Sequence, residues 1–418
     1  FYVRLDKGRS FIMYGDMKTH IDNEEGLSLG QYDRTLTGAK AHFQNDKAEV
    51  TAFVAQTSSR QNVIETRGLG ISGPYPTGVD FADLLINSQT VEVIVRDRNN
   101  PGVIISRQAL NRYSDYELDV VSHAIYLRSP IASTDLDGNP IYLRVTVEAD
   151  DVGEDYMIVG AAGNYQLTKR VNVGASYAQS DDPTNNEKLS GVNSVIEFND
   201  RLKLVAEAAH YEADKVNGTL ASAINAQSLD SDASGNAARV ELTYKDQKRD
   251  GKLYYNQADE GFTPATSPIT AGRTETGLNL TSRLNDKTAL KAEAIQTKDD
   301  TNNSQCQGAT VSVERKLTNH LTGELGVRYY EKDANAASTN YQAVVDTDAF
   351  NQSMRPSITN HDSDYQGTTL RGKLTADLPK LNKSKVFVEY EQDIDDASRN
   401  AWSIGGETSL LNKGRLYA

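Results

Sequence analysis

YMIVGAAGNYQLTKRVNVGASYAQS, residues 156–180, is the stretch whose reading decides the fold. It holds two alternating runs joined by Thr168-Lys169-Arg170. Met157, Val159, Ala161, Gly163, Tyr165 and Leu167 fall on one side of the first run. Gly160, Ala162, Asn164 and Gln166 fall on the other, where Ile158 is the exception. In the second run Val171, Val173, Ala175 and Tyr177 oppose Asn172, Gly174, Ser176 and Ala178. Strand side chains alternate between faces, so this is a hairpin with one apolar and one small-polar face. A tilted strand crosses a bilayer in roughly ten residues, and each run is that long.

The same unit recurs downstream. VNSVIEFN (192–199) turns into LKLVAEAAHYEA, AARVELTYK (237–245) into GKLYYNQADEGF, and TETGLNLTSRL (274–284) into TALKAEAIQTK. GATVSVERKL (308–317), TTLRGKLTADL (368–378) and AWSIGGETSLL (401–411) open three more hairpins. Every second connection is short. The others read as long polar loops: DDPTNNEK, 215–235, EGFTPATSPITAGR, DDTNNSQCQ and 333–364. Short turns alternating with long loops are the rhythm of an outer-membrane barrel.

Upstream, 1–59 reads as four more barrel strands, with a turn at Asn45-Asp46-Lys47. Alternation is weakest in 32–44, where Arg34, Lys40 and His42 share a face with Leu36. Residues 60–152 differ in kind: short Val/Ile-rich strands such as TVEVIVRDR are separated by NNPG and DLDGNP. They read as an inserted, independently folded, sandwich-like β module. The expected fold is therefore all-β: an antiparallel transmembrane β-barrel of about eighteen observed strands. Its divisions are 1–59, the insert 60–152, and 153–418. Counting turns from 45–47 puts the insert at the rim of long loops, which is the extracellular side in such barrels.

Composition agrees. The chain of 418 residues is 38% hydrophobic, and its mean hydropathy of −0.56 leaves no window near the roughly 18 apolar residues of a membrane helix. The net charge of −14 argues against a nucleic-acid partner. Tyr (21) outnumbers Phe (9) and Trp (1), which suits strands and the lipid–water boundary. Cys306 is the single cysteine, so no internal disulfide can form. The chain opens on FYVRLD without an initiator Met, so the missing signal peptide is no evidence for the cytoplasm.

The stretches FYVRLDKGRSFIMYGDMKT, SGPYPTG, TVEVIVRDRNNPGVIISRQ, YSDYELD and SPIASTDLDGNPIYLRVTVEAD resemble very large proteobacterial outer-membrane proteins. Those carry Ig-like or conserved-repeat modules with a β-barrel. The resemblance covers about 1–155 and implies an outer-membrane location and a surface-exposed chain. Such barrels usually close on an aromatic residue, whereas this chain stops at RLYA. The expectation is that the barrel continues beyond Ala418, or that its end is unresolved.

No catalytic or cofactor constellation stands out. The six histidines (20, 42, 123, 210, 320, 361) have no metal-ligand spacing, and no GxSxG or Gly-rich phosphate loop occurs. Asp135, Asp137 and Asn139 lack the spacing of a calcium loop and read as a hairpin turn. His210, on the lipid-side face, reads as a rim histidine rather than the base of an outer-wall hydrolase. No enzyme, metal or cofactor is expected. The acidic stretches DNEEG, DDPTNN and DIDDAS read as solvated loops.

The candidate functional residues are charges that parity turns into the lumen. They are Arg239, Glu241, Lys245, Lys252, Arg283, Lys291, Glu293, Glu324, Arg328, Arg371, Lys373, Asp377, Lys385 and Glu389. Cross-strand pairing among them would brace a wide barrel, and an open ring of charge would set ion preference. Two functions follow: a surface anchor or export platform, carried by the insert, or a porin-like diffusion channel for small polar solutes. The expected partners are outer-membrane lipid and other surface or envelope proteins.

Overall fold

The computed structural model describes residues 2–20, 26–79, 84–85, 87–96, 104–119, 122–135, 139–150, 154–183, 185–215, 232–265, 267–301, 303–333, 365–379, 381, 384–397, 400–410 and 414–417. The chain opens with β1 (Tyr2–Lys7), β2 (Ser10–Lys18), β3 (Thr35–Gln44) and β4 (Ala48–Thr57). A separate block follows: β5 (Ser59–Arg67), β6 (Tyr75–Pro76), β7 (Thr90–Arg96), β8 (Ile104–Leu110), β9 (Tyr116–Asp119), β10 (Ala124–Leu127) and β11 (Ile141–Asp150). Next come β12 (Tyr156–Thr168), β13 (Val171–Asp182), β14 (Asn185–Asn199), β15 (Leu202–Lys215), β16 (Ala233–Lys245), β17 (Arg249–Ala258) and β18 (Arg273–Asn285). The last seven are β19 (Thr288–Asp299), β20 (Ser304–Lys316), β21 (Leu321–Asp333), β22 (Tyr365–Leu378), β23 (Ser384–Asp393), β24 (Ala401–Leu410) and β25 (Gly414–Tyr417).

Outside the β5–β11 block each strand pairs antiparallel with the next, and β4 pairs directly with β12, Phe53 facing Gly160. The result is one meander of eighteen strands. Curled into a barrel, a sheet of that width encloses an aqueous space, because eight strands already fill a barrel with side chains. One face carries exposed Val50, Val54, Val159, Tyr177, Val192, Leu253, Val311, Leu325, Leu370 and Ile404. Burying such a side chain stabilises by about 1.5–3 kcal/mol, so a continuous apolar outer face is suited to hydrocarbon, not water. The architecture is an antiparallel transmembrane β-barrel with an inserted β module.

Asx chemistry makes the tight turns of one rim. Asn45 Oδ1 accepts from the backbone N–H of Lys47 and Ala48, both at 2.8 Å. Asn199 does the same for Arg201 and Leu202, and Asp246 for Lys248 and Arg249. At the opposite rim two expected loops vanish. β13 runs to Asp182 and β14 starts at Asn185, so DDPTNNEK is mostly ladder; DDTNNSQCQ likewise lies mostly in β19 and β20. The apolar pattern stops where hydrocarbon would stop, but hydrogen bonding between strands continues into water and tolerates polar side chains on both faces. Residues 216–231 and 334–364, expected as long loops, lie outside the described residues.

The β5–β11 block forms two sheets, ordered β5–β11–β7–β8 and β6–β10–β9. Val91, Leu143, Val145 and Val147 of the first pack against Tyr75, Tyr116, Leu118, Ile125 and Leu127 of the second. This is the two-layer core of a small sandwich, built from the insert's own residues. The block leaves the meander at the rim opposite the 45–47 turn, yet it does not stand clear of it. Arg60 pairs with Asp182 (3.4 Å) and Arg144 donates to Ala265 O (3.3 Å). Ile104 shares a small cavity with Asn256, Arg273 and Glu275, on the polar face of β17 and β18. The insert thus leans over the polar face as far as β17 and β18. Counting turns along the chain could not show this, because it fixes the rim and not the lean.

Candidate functional site

Two arrangements occupy the polar face. The first lies near the long-connection rim, where 26–34, joining β2 to β3, folds against the walls of β12–β16. Glu207, on β15, has a fully buried side chain. Its Oε1 accepts from the backbone N–H of Ser28, Leu29 and Gly30 at 2.8, 2.7 and 3.0 Å. Oε2 accepts from Ser28 Oγ (2.9 Å), and the Arg239 guanidinium lies 3.4 Å away. Three successive N–H groups converging on one carboxylate form an anion-binding concavity. Gly30 is required there: a Cβ would stand 2.4 Å from Ser176 Oγ and 3.2 Å from Gly191 Cα. Leu29 is buried with Leu189, Tyr211 and Phe262.

The same segment grips the insert. Arg34 donates from Nε to both oxygens of Glu148 on β11 (3.1 and 3.2 Å) and from Nη2 to Oε2 at 2.6 Å. It also donates to Tyr156 Oη (3.1 Å) and to Ser59 O (2.7 Å), which the Tyr156 hydroxyl shares. Burial opposes the Arg34 charge, but Glu148 and the phenols of Tyr32 and Tyr156 hold the guanidinium well above its ordinary pKa. Tyr32, pushed up mainly by burial, donates to Glu187 (3.2 Å), which also accepts from Tyr211 at 3.0 Å. In the insert, Arg144 lies 3.6 Å from Glu65, and burial outweighs that carboxylate to push the guanidinium down to about 10. Ile158, the exception in the alternation, is wholly buried on the polar face beside Met17, Leu36, Phe53 and Ala178. Phe53 in turn lies over Gly160, where a Cβ would meet its ring at 2.3 Å.

The second arrangement is a charge network on β19–β23. Lys291 bridges Glu314 (2.7 Å) and Glu324 (3.4 Å). Arg371 reaches Glu324 (3.5 Å), Glu389 (2.7 Å) and Glu391 (3.8 Å). Arg328 meets Glu391 at 2.8 Å, and Lys373 lies 4.0 Å from Glu389. Ser312 Oγ donates to Glu324 at 2.8 Å.

Strand register puts all fourteen sequence-selected charges on this one face. Six of them, Lys291, Glu324, Arg328, Arg371, Lys373 and Glu389, meet in the network. Arg239 belongs to the Glu207 site, while Glu241 pairs separately with Lys252 at 2.6 Å. Lys245 pairs with Asp250 (3.4 Å), Asp377 faces Lys385 across β22 and β23, Arg283 faces Ala289, and Glu293 faces Thr310. Reading parity could have added Glu207, Glu314 and Glu391, which share the face. Nothing local marks Glu148 as the partner of Arg34.

Other candidates are ordinary. His210 lies on the outer face, with Nδ1 2.9 Å from Asn236 Oδ1 and Nε2 3.2 Å from Glu212. Ser190 stands opposite it in register, and small residues there leave a groove of about 400 Å3. Asp135 accepts from the N–H and Nδ2 of Asn139, closing a hairpin turn; Asp137 lies outside the described residues. Among the described residues no three His, Cys, Asp or Glu side chains cluster as a metal site.

Three solved structures are loosely similar to this chain. The P pilus usher (PapC) translocation pore aligns over 99% of this chain and 74% of its own, at 10% identity and a TM-score of 0.41. The ferric preacinetobactin receptor BauA from Acinetobacter baumannii aligns over 98% and 63%, at 11% identity and 0.32. A Pseudomonas aeruginosa FadL homologue aligns over 89% and 86%, at 10% identity and 0.24. At these scores the likeness carries no inference about function. No protein-family model matches the chain, and no curated protein matches it.

Proposed function

We propose that this chain is the barrel of a bacterial outer-membrane surface protein, an anchor and export platform for its β module, with the bore blocked at the long-connection rim. The observation that carries the reading is the joint seating of the insert and residues 26–34 on the polar face. The insert touches β13 through Arg60 and the β17–β18 wall through Ile104, while 26–34 covers β13–β15 through Glu207 and Glu187. A free diffusion pore gains nothing from filling its own mouth, whereas a platform is rigidified by it. The module then faces outward, and the partners are outer-membrane lipid and other envelope proteins. The resemblance of 1–155 to large surface proteins with Ig-like modules agrees.

The network on β19–β23 favours a second reading, a channel for small polar solutes, because alternating charges along one wall suit solvated ions. Planar-bilayer recording of the purified full chain separates the two. The platform reading expects membranes that stay electrically quiet after insertion. A stable open conductance in every insertion event would replace it with the channel.

A further inference from the structure

We infer that residues 26–34 are a strap latched into the barrel by Glu207, and that releasing the latch opens a path through the chain. The inference rests on the blocked-bore reading and names the device that does the blocking.

Three features single out this segment. First, its middle is held by one carboxylate. Ser28, Leu29 and Gly30 donate consecutive backbone N–H groups to Glu207 Oε1, and the Ser28 hydroxyl takes Oε2. A loop that folds back on a wall must satisfy its backbone donors there, since a buried unpaired N–H is costly. Here three successive N–H groups are satisfied by a single side chain of that wall, 177 to 179 positions away in sequence. Second, the fit is steric as well as polar. Gly30 sits so close to Ser176 and Gly191 that a branched side chain would crowd the segment against the wall. Third, the segment presents only two buried apolar side chains to the wall: Leu27 beside Ala162, and Leu29 in the cluster of Leu189, Ala209, Tyr211, Ala237 and Phe262.

The middle of the segment, held by one anion and one close approach, is poised to be released between the anchors at Tyr32 and Arg34. Arg34 at its far end holds Glu148 of the insert, so the strap couples the module to the bore. Displacement of the module by a partner would pull on the latch.

The test uses the full chain in a Cys306→Ser background with Leu27→Cys as a reporter, since Leu27 is buried only while the strap is seated. Labelling by a membrane-impermeant maleimide and bilayer conductance are read together, with the heat-modifiable gel shift of folded barrels as the folding check. Glu207→Gln and Gly30→Val attack the latch by different means, so one can fail to fold without ending the test. The expected result is labelling at least tenfold faster in either folded variant, together with a new stable conductance. Thr310→Ser, a control on the same face outside the strap, should change neither.

Unchanged labelling in both variants would overturn the latch. Fast labelling without conductance would overturn the strap as the block. A parent protein that already conducts fully while Leu27→Cys stays protected would instead overturn the blocked-bore reading, and it would show that the seated strap closes nothing.

Discussion

Arg34 and Glu148 stand 114 positions apart and form a buried two-pronged ion pair, with the shortest contact at 2.6 Å. It joins the connection between β2 and β3 to the last strand of the insert, and so makes barrel and module one mechanical unit. Removing one partner strands the other charge, which costs about 3–5 kcal/mol when both are buried. Arg34→Met should therefore loosen the insert, seen as faster proteolysis within 60–152 on the folded barrel. Arg34→Met with Glu148→Leu should recover most of the protection. Equal sensitivity of single and double variants would mean that the pair does not hold the module.

The outer face offers a test of the membrane reading. Leu325 is among the most exposed large apolar residues, in the middle of β21. Leu325→Arg should destabilise the barrel in lipid vesicles by about 2–4 kcal/mol, read from urea unfolding, because a charge at midplane faces hydrocarbon. Thr310→Arg on the adjacent strand, on the polar face, should cost far less. Similar costs for the two would count against a lipid-facing side.

Arg371 is the centre of the β19–β23 network, with Glu324, Glu389 and Glu391 around it. Arg371→Met leaves three carboxylates facing one another with less compensation. A loss of about 3–5 kcal/mol is expected by the same unfolding measurement. Adding Glu389→Gln should restore part of that stability. If the second substitution costs as much again, the network is a set of independent contacts.

Asp33 provides a pH dependence. Burial raises its pKa, but hydrogen bonding and charge attraction from His20 outweigh this and hold it below the usual carboxylate range. A carboxyl whose folded pKa is depressed contributes stability above its unfolded value near about 3.9, and loses it as pH falls through the lower folded value. Asp33→Asn should thus lower the unfolding temperature at pH 7 and converge with the parent as pH falls through that lower folded value. Identical curves at pH 7 would exclude a contribution from the His20 pair.

The sequence by itself determined the strands, their faces and the order of hairpins. Period-two alternation is a local property of an extended chain, so Met157 to Leu167 declare their side without knowing their neighbours. Turn residues such as Asn45, Asn199 and Asp246 are equally local. The ends of the strands were less legible, as β13 and β14 show, because the ladder outlasts the apolar pattern that announces it. Only the tertiary structure decided what fills the polar face. Ile158 breaks the pattern because Phe53 and Leu36 wait for it inside. Glu207 looks like any other polar-face residue until Ser28 to Gly30 arrive from 177 to 179 positions away. Arg34 likewise finds Glu148 only when the insert leans over the mouth. Such contacts join distant segments through backbone donors and buried charge, and no periodicity along the chain encodes them.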